Sequence, residues 1–146
     1  MCYMLVLSTS SQENLSDYNN EIFQFSSEWA FIPESKYLKY DNKWLVTAEF
    51  GCSCGFRHLC GGSVELGFGE PEDWFPEAAS TIDSTRQVIE LIRELVKKGE
   101  QVDCVDAWCN NQEEAEPLDG DIDIHLCNVS NTSFRFFENY RFNFLI

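Results

Sequence analysis

An α+β domain, with helices on one face of a mainly antiparallel sheet, is the fold this sequence predicts. Three observations carry that expectation. Short apolar and alternating runs that read as strands recur along the chain. One long segment, 84–98, places Val88, Leu91, Ile92, Leu95 and Val96 on a single helical stripe. The 146 residues amount to one domain, 1–146, and a chain of that size buries roughly 70% of its unfolded surface. The expected order is β-α-β-β-α-β followed by further strands. Short connections and right-handed crossovers make a ferredoxin-like core, a split βαβ with extra C-terminal strands, the simplest topology.

Residues 3–9 read as a buried strand through Leu5, Val6 and Leu7. Ser10-Ser11-Gln12-Glu13 has the pattern of a capping box and opens a short helix to about Tyr18. Glu21–Phe25 alternates as a second strand, and 27–42, with Pro33, reads as an ordered connection. Lys43–Phe50 is a third strand, rich in branched and aromatic residues. It runs into a cysteine-rich loop that Gly61-Gly62 closes, and 63–68 reads as a short return strand. Gly69–Pro76 is a loop by its Gly and Pro content.

Ser84 and Gln87 fit a second capping box, opening the 84–98 helix. Lys97 and Lys98 suit the negative end of its dipole, and Gly99 supplies the left-handed closing turn. Residues 101–108 form a fourth strand, 110–120 an acidic loop, and 122–126 a fifth strand. Residues 134–146 are a sixth, with Tyr140, Phe142, Phe144 and Ile146 on one face.

The net charge is −15, with 25 carboxylates against 10 Lys and Arg. Binding a nucleic-acid backbone needs cations to displace counterions, so a nucleic-acid partner is not expected. No apolar run approaches the ~20 residues of a bilayer span, so neither is a membrane. No export signal is legible at the start. The cytoplasm, where thiols stay reduced, is therefore the expected compartment, and the seven cysteines do not form a closed disulfide set. Between Gly99 and Ser133 there is no Lys or Arg, yet nine carboxylates lie there. Such a stretch is a solubilising face or a docking surface for a basic partner.

The densest chemistry is Cys52, Cys54, His58 and Cys60. A structural zinc site takes four N or S ligands, and this loop offers four. The spacing departs from the familiar pairs separated by two to four residues, and Cys104 and Cys109 could add ligands from a neighbouring strand. The plainer reading is small buried hydrophobes in a tight turn. A reactive thiol is the other possibility, because Arg57 and His58 could lower a cysteine pKa. An imidazole base would have to be His58 or His125, and no carboxylate adjacent in sequence orients His58.

Asp121, Asp123, His125 and Cys127 are spaced to share one strand face, which reads most simply as the wet face of a half-buried strand. Asp119–Asp123 lacks the glycine and the bidentate Glu of a calcium loop. Trp74 and Phe75, flanked by carboxylates, are either partner anchors or a lid over the core. No catalytic set is recognisable.

The first functional expectation is therefore a non-enzymatic binding module without cofactor. It would meet a basic or peptide-like protein surface through Trp74, Phe75, Glu113, Glu114, Glu116 and Asp119. The alternative is a zinc-binding or thiol-dependent protein centred on Cys52, Cys54, His58 and Cys60. A pocket enzyme using a carboxylate is the third class, since fold does not decide function.

Overall fold

The computed structural model describes residues 2–48, 51–59, 67–73, 75–109 and 114–146. Its main body is a six-stranded sheet. The strands are β1 (Cys2–Thr9), β2 (Gln24–Ser26), β3 (Asn42–Thr47), β5 (Val102–Cys109), β6 (Gly120–His125) and β8 (Tyr140–Leu145). They stand in the order β2-β3-β1-β5-β8-β6. Every neighbouring pair is antiparallel except β6 and β8, which are parallel. Two further short strands, β4 (His58–Leu59) and β7 (Phe136–Phe137), form a small parallel ladder of their own.

The helix α1 (Ala79–Lys97) connects the half that carries β3 to β5. Both of those strands pair antiparallel with β1, so they run parallel to each other with β1 between them. Strand alternation gives the sheet two faces. Leu5 and Leu7 of β1, Val102 and Cys104 of β5, and Phe142 and Phe144 of β8 pack with Val88, Ile89, Ile92 and Leu95 of α1. The intervening residues Val6, Leu45, Val105 and Ala107 face the other way, where Ile32 and Leu38 of the 27–42 connection cover them. Among the described residues no helix is long and apolar enough to cross a membrane.

The mixed α+β class and the mostly antiparallel sheet with helix on one face agree with the expectation. The full ferredoxin-like core is not reproduced. It needs a second helix after β1, and there the chain forms only the 3-10 turn Leu15–Tyr18. Asn14 caps that turn, its Oδ1 accepting the Ser16 amide at 3.2 Å, so the Ser10–Glu13 pattern does not open a helix. Four residues are too few to repay a helix nucleus.

The long helix also begins earlier than its apolar stripe. It starts at Ala79, with no side-chain cap, which leaves Ser84 inside it rather than at its end. Ser84 is buried, and its hydroxyl donates to the Gly55 carbonyl at 2.6 Å and to the Thr81 carbonyl at 3.0 Å. Residues 79–83, Ala-Ser-Thr-Ile-Asp, hold only one large apolar side chain and too little pattern to announce a helix, and tertiary packing extends the helix through them. The closing turn is as expected: Gly99 has φ +92°, and the Glu100 amide reaches back to the Leu95 carbonyl at 3.1 Å.

The sixth predicted strand is two, β7 and β8, separated at Asn139, which has φ +65°. Of the return strand expected over 63–68, residues 63–66 lie outside the described residues and Gly67 and Phe68 are not in a strand; the end of the third strand at 49–50 also lies outside them.

Candidate metal-thiolate site

The cysteine loop is held against the start of β1 by a buried serine. Ser53 donates its amide to the Tyr3 carbonyl at 2.9 Å, and its hydroxyl accepts the Leu5 amide at 2.8 Å while donating to the Val46 carbonyl. The loop therefore behaves as an extra partner for β1 where β3 ends. The Cys52 carbonyl accepts the Ala48 amide at 2.8 Å, and the Cys54 sulfur accepts the Tyr3 amide at 3.3 Å.

This docking brings Cys52 and Cys54 to the first residue of β1. The sulfurs of Cys2, Cys52 and Cys54 all lie within 4.8 Å of one another, Cys54 exposed and the other two half-buried. Three free thiols from segments fifty residues apart thus share one corner. Burial resists ionisation of Cys52, but hydrogen bonds from the Cys54 main chain and from the Cys54 and Cys2 thiols outweigh it and lower its pKa. Burial pushes Cys54 up to about 11, and the neighbouring Cys52 adds to the shift. Of these two thiols Cys52 is therefore the more readily ionised.

His58 does not join them. Its Nδ1 lies 2.6 Å from Asp106 Oδ2 and its Nε2 lies 2.6 Å from the Ser53 carbonyl oxygen. Two acceptors call for two donors, so the ring is the imidazolium. It also stacks on Tyr3, ring centroids 3.9 Å apart and planes within 5°. Burial disfavours the charged ring, but the Asp106 carboxylate and the Ser53 carbonyl outweigh burial and raise its pKa. With both nitrogens committed, His58 is neither a ligand nor a free base. It clamps the carbonyl between Cys52 and Cys54.

The expected four-residue set is therefore redistributed. Cys52 and Cys54 come together, His58 lies behind them, and Cys60 lies outside the described residues. Cys104 faces the helix side of the sheet as a core residue, where burial holds its pKa well above the ordinary value. Arg57 turns away from the thiols altogether. With Arg135 it grips the Glu77 carboxylate, at 2.8 and 3.0 Å, and both guanidiniums are only 1% exposed. They also collect the carbonyls of Gly67, Gly69, Thr132 and Phe134, tying three loops together.

Sequence reasoning missed Cys2 and Asp106. Cys2 sits in a strand start, and Asp106 is one of two acids, with Asp103, inside an otherwise mostly apolar strand; the only signal was that a carboxylate buried there requires a partner.

The partner-binding candidates are dispersed. Phe75 lies under the Arg135 guanidinium, 5.8 Å from ring centre to Cζ. Glu114, Glu116 and Asp119 are exposed on the segment leading to β6, where the Tyr37 hydroxyl holds the Glu116 carbonyl at 2.8 Å. Trp74 and Glu113 lie outside the described residues. Asp121, Asp123 and His125 share the exposed face of β6, while Cys127 falls in the following turn. Comparisons with protein-family models, curated proteins and solved structures find no match to this chain.

Proposed function

We propose that this protein binds one soft, filled-shell metal ion of the zinc class through the thiolates of Cys2, Cys52 and Cys54. The observation that supports this reading is the mutual approach of the three sulfurs within 4.8 Å. Sulfurs bound tetrahedrally at ~2.3 Å from zinc stand ~3.8 Å apart, so only a small contraction is asked of them. The residues fit the group chemically as well. A bound cation would supply the positive charge that favours the thiolate form of all three cysteines, and the Cys52 pKa is already lowered by its hydrogen bonds. Such an ion would staple the start of β1 to the 52–54 turn, adding a restraint where β3 ends.

The test is a zinc titration of the reduced protein against a competing chromophoric chelator. One zinc per chain is expected, lost in Cys52→Ser and retained in Cys127→Ser. A reduced, folded protein that draws no zinc from the chelator would overturn the reading.

A second reading concerns partners. Glu114, Glu116 and Asp119 are exposed on a stretch without any Lys or Arg, which favours a basic protein surface over other partners. A Lys-rich peptide is then retained at low salt and released when these three are changed to Gln. Equal retention by the triple variant removes this reading.

A further inference from the structure

Three thiolates leave one coordination position of a tetrahedral ion to be filled, and the sheet register points to a residue for it. β1 and β5 are paired so that Cys109 stands directly opposite Cys2. Directly opposed residues in an antiparallel pair project to the same face, with Cβ atoms ~4.5–5.5 Å apart. Cys109 is a free, half-buried thiol at the end of β5, packed against the rim of the second core layer. We infer that Cys109 is the fourth ligand, so that the site closes as four cysteines around a tetrahedral ion instead of remaining an open three-thiolate site. This inference rests on the three-thiolate reading above and adds a residue to it.

Distance permits it. The Cys109 sulfur stands outside the group of three mutually close sulfurs. One staggered step about a cysteine χ1 swings the sulfur by about 3 Å, and Cys2 or Cys109 can take that step at the strand ends they occupy. Chemistry favours it too. Cys109 brings a thiol, the same soft donor as the three clustered cysteines, to the position opposite Cys2. The competing nitrogen ligand in this corner is His58, and both of its nitrogens are already held. The group of mutually close ligand atoms among the described residues consists of Cys2, Cys52 and Cys54 alone, which leaves the fourth position to a residue that must swing in.

A closed four-cysteine set is the arrangement of structural metal sites, whereas catalytic sites keep a position open for water or substrate. The inference thus assigns the ion a stapling role: it would lock the β1–β5 register at the end where that ladder begins.

The experiment compares wild type with Cys109→Ser and Cys109→Ala, using zinc and cobalt(II) as probes. X-ray absorption at zinc in the wild-type protein is expected to give four sulfurs at ~2.3 Å. Each variant is expected to lose one thiolate's share of the sulfur-to-cobalt charge-transfer band. Zinc affinity is expected to fall at least about tenfold, since even losing a residue behind the ligands costs ~10–100-fold. Three sulfurs plus a light atom in the wild type overturn the fourth-ligand assignment and leave the three-thiolate reading intact. The same holds if the variants keep the wild-type cobalt spectrum and affinity. A wild-type protein that takes up neither metal overturns both. The wild-type sulfur count decides the matter even if a variant fails to fold.

Discussion

His58 and Asp106 form a buried pair across the sheet, with the Nδ1 of the ring 2.6 Å from the carboxylate oxygen on β5. Forty-eight residues separate them in sequence, and the contact joins the cysteine loop to the central strands. The other carboxylate oxygen, Oδ1, has no hydrogen-bond partner among the described residues, so the imidazolium is the charge that compensates Asp106 there. Glu138, which bridges to Asp106, has its carboxyl raised first by burial and then by that neighbouring charge.

Removing one member of this pair strands the other in a dry site. Asp106→Asn is expected to lower unfolding free energy by about 3–5 kcal/mol in urea denaturation. The pair also sets a pH dependence. His58 has a folded pKa above its ordinary value, so its stabilisation is complete below about pH 6.5 and fades as pH rises through the folded value. Wild-type stability should therefore decline from near-neutral toward alkaline pH, and Asp106→Asn should flatten that slope. A variant with the same slope as wild type would show that Asp106 does not hold the proton on His58.

The three clustered thiols should differ in reactivity. Cys52 is lowered in pKa and Cys54 is raised to about 11, so iodoacetamide at neutral pH is expected to label Cys52 ahead of Cys54 despite the greater exposure of Cys54. Peptide mass spectrometry after short labelling reads the order. Cys104 should be the slowest, being fully buried in the core. Equal labelling of Cys52 and Cys54 would contradict the hydrogen-bonded thiolate.

Ser53 positions the thiols without binding anything itself. Its hydroxyl satisfies the Leu5 amide and the Val46 carbonyl in a buried site. Ser53→Ala should cost about 1–3 kcal/mol of stability, the usual penalty for orphaned buried polar groups. Under the three-thiolate reading it should also weaken zinc binding while the stoichiometry stays at one. A variant that loses stability yet keeps wild-type zinc affinity would restrict Ser53 to a structural role.

Glu77 is the counter-charge to two buried guanidiniums. Burial opposes its ionisation, but hydrogen bonds from Arg57 and Arg135 outweigh burial and lower its pKa. Its stabilisation is therefore complete above the ordinary carboxylate range and is lost as pH falls through the depressed value. Glu77→Gln should cost about 3 kcal/mol or more and remove part of the acid sensitivity. Circular dichroism along an acid titration checks both. An unchanged acid midpoint would mean the clamp does not depend on the charge.

Several of these features were legible one element at a time. The stripe at Val88, Ile92 and Leu95 announced a helix, and Gly99 its end, because both are local matters of periodicity and backbone angle. Cys52 and Cys54 stood out by density alone. Cys2 did not, since its importance comes from a loop that returns to it after fifty residues, and Asp106 carried no sign of which residue would face it.

The sequence by itself determined the elements that depend on neighbours a few positions away: most of the strands, the long helix with its closing turn, and a strongly acidic charge balance. Only the tertiary structure decided which thiols meet, that His58 is withheld from them by Asp106 and Ser53, and that Cys109 stands opposite Cys2. The physical reason is that strand register and loop docking are set by burial and by long-range main-chain hydrogen bonds. Those pairings join residues about fifty to one hundred positions apart, and no local spacing encodes them.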